Sequence, residues 1–164
     1  MKVAILVYSK TGITQETGEL IGKGVASVEG CEYRVMSIED LDKDYVNAAD
    51  AVVFGTPTYY ANMAWQMKKW IDEGCSGLNL AGKLGAVFAT ANVIGGGSET
   101  ALLTLINHIL VKGMVVYSGG CACGKPYTHI GLTRVNEVPL EQQQEKITLF
   151  GQRIAQKAKE LFVK

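Results

Sequence analysis

Neither sign of charge is in excess: sixteen Lys and Arg balance sixteen Asp and Glu. A formal charge of zero leaves no electrostatic footprint for a nucleic acid and no polybasic patch for a membrane surface, so neither is an expected partner. Long apolar runs are missing as well. The six apolar residues that follow Lys2 are too few for a secretory leader or a membrane span, and a cytoplasmic location is expected. Cysteine is sparse, and without a secretion signal Cys31, Cys75, Cys121 and Cys123 are expected to be reduced thiols. Cys121-Ala122-Cys123 has only His129 nearby, short of the four ligands that zinc takes, so no metal is expected. Histidine is nearly absent too: His108 falls in a helical pattern and reads as a polar-face residue. Asp and Glu nowhere pair at a spacing that suggests glycosidase chemistry. The GxxxxGK[ST] pattern is absent, which argues against a nucleotide triphosphatase. With no internal repeat, low-complexity tract or linker, one domain over residues 1–164 is expected.

What the sequence does hold is alternation. Apolar, β-branched runs at residues 2–8 (KVAILVY), 32–37 (EYRVMS), 51–55 (AVVFG), 83–90 (KLGAVFAT) and 114–118 (MVVYS) read as strands. Between them lie helical patterns: one from Ile13 to Val25, a short one at 43–48, one through Met63, Met67, Trp70 and Ile71 ended by Gly74, and one striped by Leu102, Leu105, Ile106, Ile109 and Leu110 and closed by Gly113. Residues 119 to about 140 read as a glycine-rich loop. A last helix is expected over 141–163, with Ile147, Phe150, Ile154, Ala158, Leu161 and Phe162 inward. Gly18, Gly22 and Gly24 each weaken the first helix by about 1 kcal/mol relative to Ala, and are expected to permit close approach to the sheet. Five strands alternating with helices predict an α/β three-layer sandwich around a parallel sheet. Ligands of such sheets sit outside the carboxyl ends of the strands.

Three loops fall at that end. In Ser9-Lys10-Thr11-Gly12-Ile13-Thr14, Gly12 can take a positive φ, the first helical turn from Ile13 offers free amides, and Ser9, Thr11 and Thr14 add hydroxyls at the same point. A helix cap needs only one such hydroxyl, so the pattern points to a phosphate monoester held by neutral dipoles. In GTPTYYANM, residues 55–63, the rigid Pro57 is followed by Thr58, Tyr59 and Tyr60, and aromatic faces here suit a flat ring whose edge Thr58 and Asn62 can bond. In ATANVIGGGSET, residues 89–100, three glycines let backbone approach a ligand closely.

Ser9-x-Thr11-Gly12-x-Thr14 resembles the T/S-x-T-G-x-T phosphate loop of the flavodoxins. GTPTYYANMAWQMKKWID, GGGSE and KGMVVYSGG further resemble the WrbA family of flavodoxin-like NAD(P)H:quinone oxidoreductases. The resemblance implies a flavodoxin-like five-stranded parallel sheet in the order 2-1-3-4-5 and bound FMN. It places the FMN phosphate on Ser9, Thr11, Gly12, Ile13 and Thr14. The ring falls against Pro57, Thr58, Tyr59 and Tyr60 and against Thr90, Ala91, Asn92, Val93, Ile94 and Gly95. It further implies a two-step reaction in which NADH or NADPH gives hydride to the flavin and a quinone or similar small acceptor takes two electrons. No catalytic side chain is then required, His129 is a candidate substrate contact, and a homodimer or homotetramer is expected. Two features depart from the WrbA pattern: CSGLNLAGKLG is shorter and lacks an aromatic, and Thr11 stands where Tyr is common. A one-electron carrier of the flavodoxin type and a non-catalytic FMN-binding regulatory module are the alternatives. The neutral charge balance favours the enzyme over a carrier steered by acidic surface.

Overall fold

Residues 1–162 are described in the computed structural model of the protein. Strand β1 (Lys2–Val7) is buried from Val3 onward, as a central parallel strand covered on both faces must be. It pairs in parallel with β2 (Glu32–Ser37) on one side and β3 (Ala51–Tyr59) on the other. Beyond β3 lies β5 (Leu84–Ala91), Ala51 beside Leu84. The far edge is made by β6 (Val115–Val116) and β7 (Leu132–Val135), which pair in parallel with successive stretches of β5, Gly85 beside Val116 and Phe88 beside Leu132. They are two halves of one edge strand. The order β2-β1-β3-β5-β6 is therefore the expected 2-1-3-4-5, with the two-residue β4 (Asn62–Met63) folded back antiparallel on the end of β3.

Alternate residues of β1 feed two cores. Val3, Ile5 and Val7 pack with Leu20, Ile21 and Val25 of helix α1 (Ile13–Ala26) and with Ile147, Phe150, Ile154 and Ala158 of α5 (Leu140–Phe162). Ala4 and Leu6 pack with Tyr45 and Val46 of α2 (Lys43–Ala48), with Met67 of α3 (Trp65–Lys69) and with Leu102, Leu105 and Ile109 of α4 (Ser98–Val111). Among the described residues no helix is long and apolar enough to cross a membrane.

Several expectations need correction. The helix expected from Met63 starts at Trp65, because Met63 belongs to β4, and it continues as a π-helical turn, Trp70–Gly74. The strand expected at 114–118 is reduced to Val115–Val116, and the supposed loop from 119 to 140 contains β7. Leu110 and Leu161 are exposed rather than inward, as is Phe162. Each lies in the last turn of its helix, beyond Ile109 and Ala158, the last residues that reach a core. The expected end of α5 at Val163 lies outside the described residues. Gly18 and Gly22 do face the sheet, toward Val35 and Tyr33, but Gly24 faces the backbone of α5 at Thr148.

Candidate functional site

β1 delivers the chain to its carboxyl end at Tyr8, and the first loop turns there into α1. Gly12 caps the helix at φ 91° and has no side chain of its own to accept from the first-turn amides. Gly12 and Thr11 are exposed, Ser9 and Ile13 half-buried, and a Cβ on Gly12 would meet nothing within 4 Å. An open helix N-terminus carries partial positive charge and presents donors that its glycine cap cannot satisfy. Ser9 Oγ accepts from the Gln15 amide at 3.2 Å. Thr14 turns inward instead: its hydroxyl lies 2.9 Å from that of Thr90, both residues buried. One hydroxyl of this pair donates to the other, so a single O–H proton is left for a further acceptor.

The second loop is a hairpin rather than a free turn. β3 runs on through Pro57, Thr58 and Tyr59, and Tyr60 and Ala61, at φ 50° and 58°, reverse it into β4. Left-handed residues match the twist of a tight hairpin, but without glycine each costs about 1–2 kcal/mol. Gly97, at φ 82°, lets this turn close on the start of α4, since a Cβ there would stand 2.5 Å from that of Ala61. Tyr60 is fully exposed, and the buried Thr58 Oγ1 has no hydrogen-bond partner among the described residues. Tyr59 stands beside Tyr8, whose phenol is raised above its ordinary value by burial first and then by Tyr59 and Glu39. Strain at an exposed aromatic gives a prediction: Tyr60→Asn should stabilise the protein by about 1 kcal/mol in a urea melt. An unchanged midpoint would mean that the turn is not strained.

Thr90 and Ala91 end β5 and open the third loop. Asn92 Oδ1 accepts from Asn136 Nδ2 at 2.9 Å, the Ile94 amide donates to Glu137 Oε1 at 2.8 Å, and the Gly96 amide donates to the Val93 carbonyl. The amides of Ile94 and Gly96 are thus engaged within the protein rather than free for a ligand. Gly95, at φ 74°, is exposed, as are Asn92, Val93 and Ile94.

The residues behind this loop were missed because 119–140 read as loop. Arg134 stands on β7 beside Thr90. Its Nη1 lies 2.7 Å from Glu16 Oε2 and donates to Thr17 Oγ1 at 3.2 Å, while Thr17 donates to the Ile13 carbonyl at 2.8 Å. A buried cation therefore sits behind the first turn of α1. The β-branched Thr133 and Val135 beside Leu132 were the available signal, a weak one because a charged residue takes the buried position at Arg134. His129, the candidate substrate contact, lies between the two halves of the edge strand, exposed and stacked on Tyr127 with ring centroids 6.4 Å apart. The segment that does follow the strand carries Asn136 and Glu137. All three loops thus converge: the first joins the third through Thr14 and Thr90, and the second through the Tyr8 amide on the Gly55 carbonyl at 3.1 Å.

Residues 43–125 match the family model described as NADPH-dependent FMN reductase. The chain is 52% identical over 162 residues to a flavodoxin of Clostridium saccharobutylicum, covering 99% of this chain and 100% of that one. It is 34% identical over 166 residues to an NAD(P)H dehydrogenase (quinone) of Syntrophobacter fumaroxidans, covering 84% of this chain and 78% of that one. Among solved structures, a flavodoxin from the domain Archaea superposes with a TM-score of 0.78 at 27% identity, covering 97% of this chain and 99% of that one. A flavodoxin, WrbA-like protein from Agrobacterium tumefaciens also gives 0.78, at 22% identity with 98% of each chain covered, and shares the fold.

Proposed function

The chain belongs to the flavodoxin-like FMN-binding family, and from that premise we propose that it is an electron carrier that passes electrons to a protein partner from FMN held across the carboxyl ends of its strands. The observation that carries this reading is the rim: Tyr60, Val93 and Ile94 are exposed around the three loops, an apolar border suited to contact with another macromolecule. The fit to FMN rests on the open, glycine-capped turn at Gly12 and on Thr58 Oγ1, which has no hydrogen-bond partner among the described residues.

On this reading the amides from Gly12 and Ile13 onward, with the hydroxyls of Ser9, Thr11 and Thr14, hold the phosphate without a metal. Pro57, Thr58, Tyr59 and Tyr60 form one wall for the ring, and Thr90, Ala91, Asn92, Val93, Ile94 and Gly95 the other. Bound FMN supplies the redox chemistry. Tyr59 excludes water from one face, Thr58 offers a hydrogen bond to an edge, and the tie of Asn92 and Ile94 to residues 136–137 keeps the second wall fixed.

A second reading keeps the same site and makes the chain an NAD(P)H:quinone oxidoreductase, as a homodimer or homotetramer. It is supported by the names of relatives at 30–34% identity and by the GTPTYYANM loop. Photoreduction of the FMN-loaded protein and steady-state assays separate the readings. A stable one-electron form, with NADH and NADPH left untouched, is expected of the carrier. Rapid loss of nicotinamide absorbance with a quinone present would overturn the carrier in favour of the reductase. A colourless protein that leaves the spectrum of added FMN unshifted would overturn both. FMN binding without electron exchange with any donor would leave a regulatory module.

A further inference from the structure

The segment that divides the edge strand carries two cysteines on one helical turn, Cys121–Cys123, both exposed. In 3-10 geometry residues two apart have Cα atoms about 5 Å apart, inside the usual range for a disulfide. Gly120 and Gly124 flank the turn at φ 57° and 85°, so it can adjust at both ends. The buried Arg153 of α5 holds the segment from below, donating to the carbonyls of Cys123 and Gly124 at 2.9 Å and of Pro126 at 3.0 Å. Tyr117 Oη lies 3.6 Å from Cys123 Sγ, and Lys157 lies over the Tyr117 ring. Tyr117 is raised above its ordinary value, by burial first and then by its bond to Cys123, so it remains a hydroxyl donor near neutrality.

We propose that Cys121 and Cys123 form a reversible dithiol–disulfide couple oxidised by small-molecule disulfides. Cys123, whose Sγ lies within reach of the Tyr117 hydroxyl, attacks as the thiolate, and Cys121 resolves. The Cys123 thiolate attacks one sulfur of the small disulfide, forming a mixed disulfide and expelling one thiolate. The Cys121 thiolate then attacks Cys123 Sγ, closing the protein disulfide and expelling the second. Two electrons pass from the cysteine pair to the reagent, and the two thiol protons end on its two thiols. Closing so short a ring deforms the turn, and strained disulfides are readily reduced, which makes the couple reversible. The other cysteines are unsuited: Cys31 is half-buried, and burial pushes the Cys75 thiol up to about 11. The pair stands away from the three loops, since Arg153 lies thirteen residues along α5 from Leu140, about 20 Å at helical rise. The proposal is independent of the FMN reading.

The test treats the full chain with oxidised glutathione, followed by acid quench, alkylation and mass spectrometry. The expected product has lost two hydrogens, carries no adduct, shows its link within the peptide containing residues 121–123, and reverts with excess thiol. Cys121→Ser should trap glutathione on Cys123, whereas Cys123→Ser should react about tenfold more slowly. Tyr117→Phe should slow the first step while leaving the far-ultraviolet dichroism unchanged. Stable adducts on both cysteines, no reaction of the folded protein, or equal rates for the two serine variants would overturn the proposal.

Discussion

Replacing Gly24 with alanine is expected to destabilise the protein by about 3 kcal/mol, although helix propensity alone predicts a gain of about 1 kcal/mol. A Cβ at Gly24 would lie 1.8 Å from the Thr148 carbonyl oxygen and 2.9 Å from the Gln152 amide nitrogen. The contact is reciprocal, because a Cβ at Gly151 would lie 1.9 Å from the Ile21 carbonyl oxygen. Helices α1 and α5 therefore meet backbone to backbone, and no side chain can rotate out of the way. Relief requires the helices to separate, which loosens Ile21, Val25, Phe150 and Ile154 in the core beneath them. Gly22 is the control. A Cβ there would also overlap, at 2.1 Å, but with the half-buried ring of Tyr33, which can swing aside. Urea midpoints should rank wild type above Gly22→Ala and that above Gly24→Ala and Gly151→Ala. The double variant should lose less than the sum of its singles, because helices already parted accommodate the second methyl. A Gly24→Ala protein as stable as wild type would show that the two backbones do not meet as described.

Elements whose determinants are local were legible in the sequence. The bounds of α2 follow from Asp42, which accepts from the Tyr45 amide at 3.0 Å, and β1 declares itself by an unbroken apolar run. What escaped depends on residues far apart in the chain. β7 has four residues with an arginine at a buried position, and that burial makes sense only once Glu16 and Thr17 are seen to receive it across 117 residues. The hairpin at Tyr60 and Ala61 escaped because its left-handed residues are neither glycine nor asparagine. Gly24 was legible as a close approach but not as one toward α5. At the candidate site the hydroxyl and glycine patterns located the three loops. They did not reveal that Thr14 is tied to Thr90, or that Glu137 takes the amide of Ile94.

The ion pair behind the first loop gives the second large effect, and its two halves are not equivalent. The Arg134 side chain is 10% exposed and that of Glu16 52% exposed, so water can replace one partner but not the other. Glu16→Ala leaves a buried guanidinium with Thr17 alone and should cost about 3 kcal/mol. Arg134→Met leaves a carboxylate that rehydrates, with an apolar chain in the vacated space, and should cost about 1 kcal/mol. Adding Arg134→Met to Glu16→Ala should therefore recover stability, a sign reversal that additive contacts cannot produce. The same asymmetry probes the proposed phosphate cradle. A cation without its counter-charge behind an open helix start favours an incoming dianion, so Glu16→Ala should bind FMN more tightly relative to riboflavin than wild type does. Arg134→Met should shift that ratio the other way. Using the ratio cancels any general loosening of the site, since both ligands present the same ring. FMN should also restore more stability to Glu16→Ala than to wild type at equal FMN concentration, by mass action on the folded state. Ratios equal across the three proteins, with FMN still bound, would show that the phosphate does not lie over Arg134 and would move it off the first turn of α1.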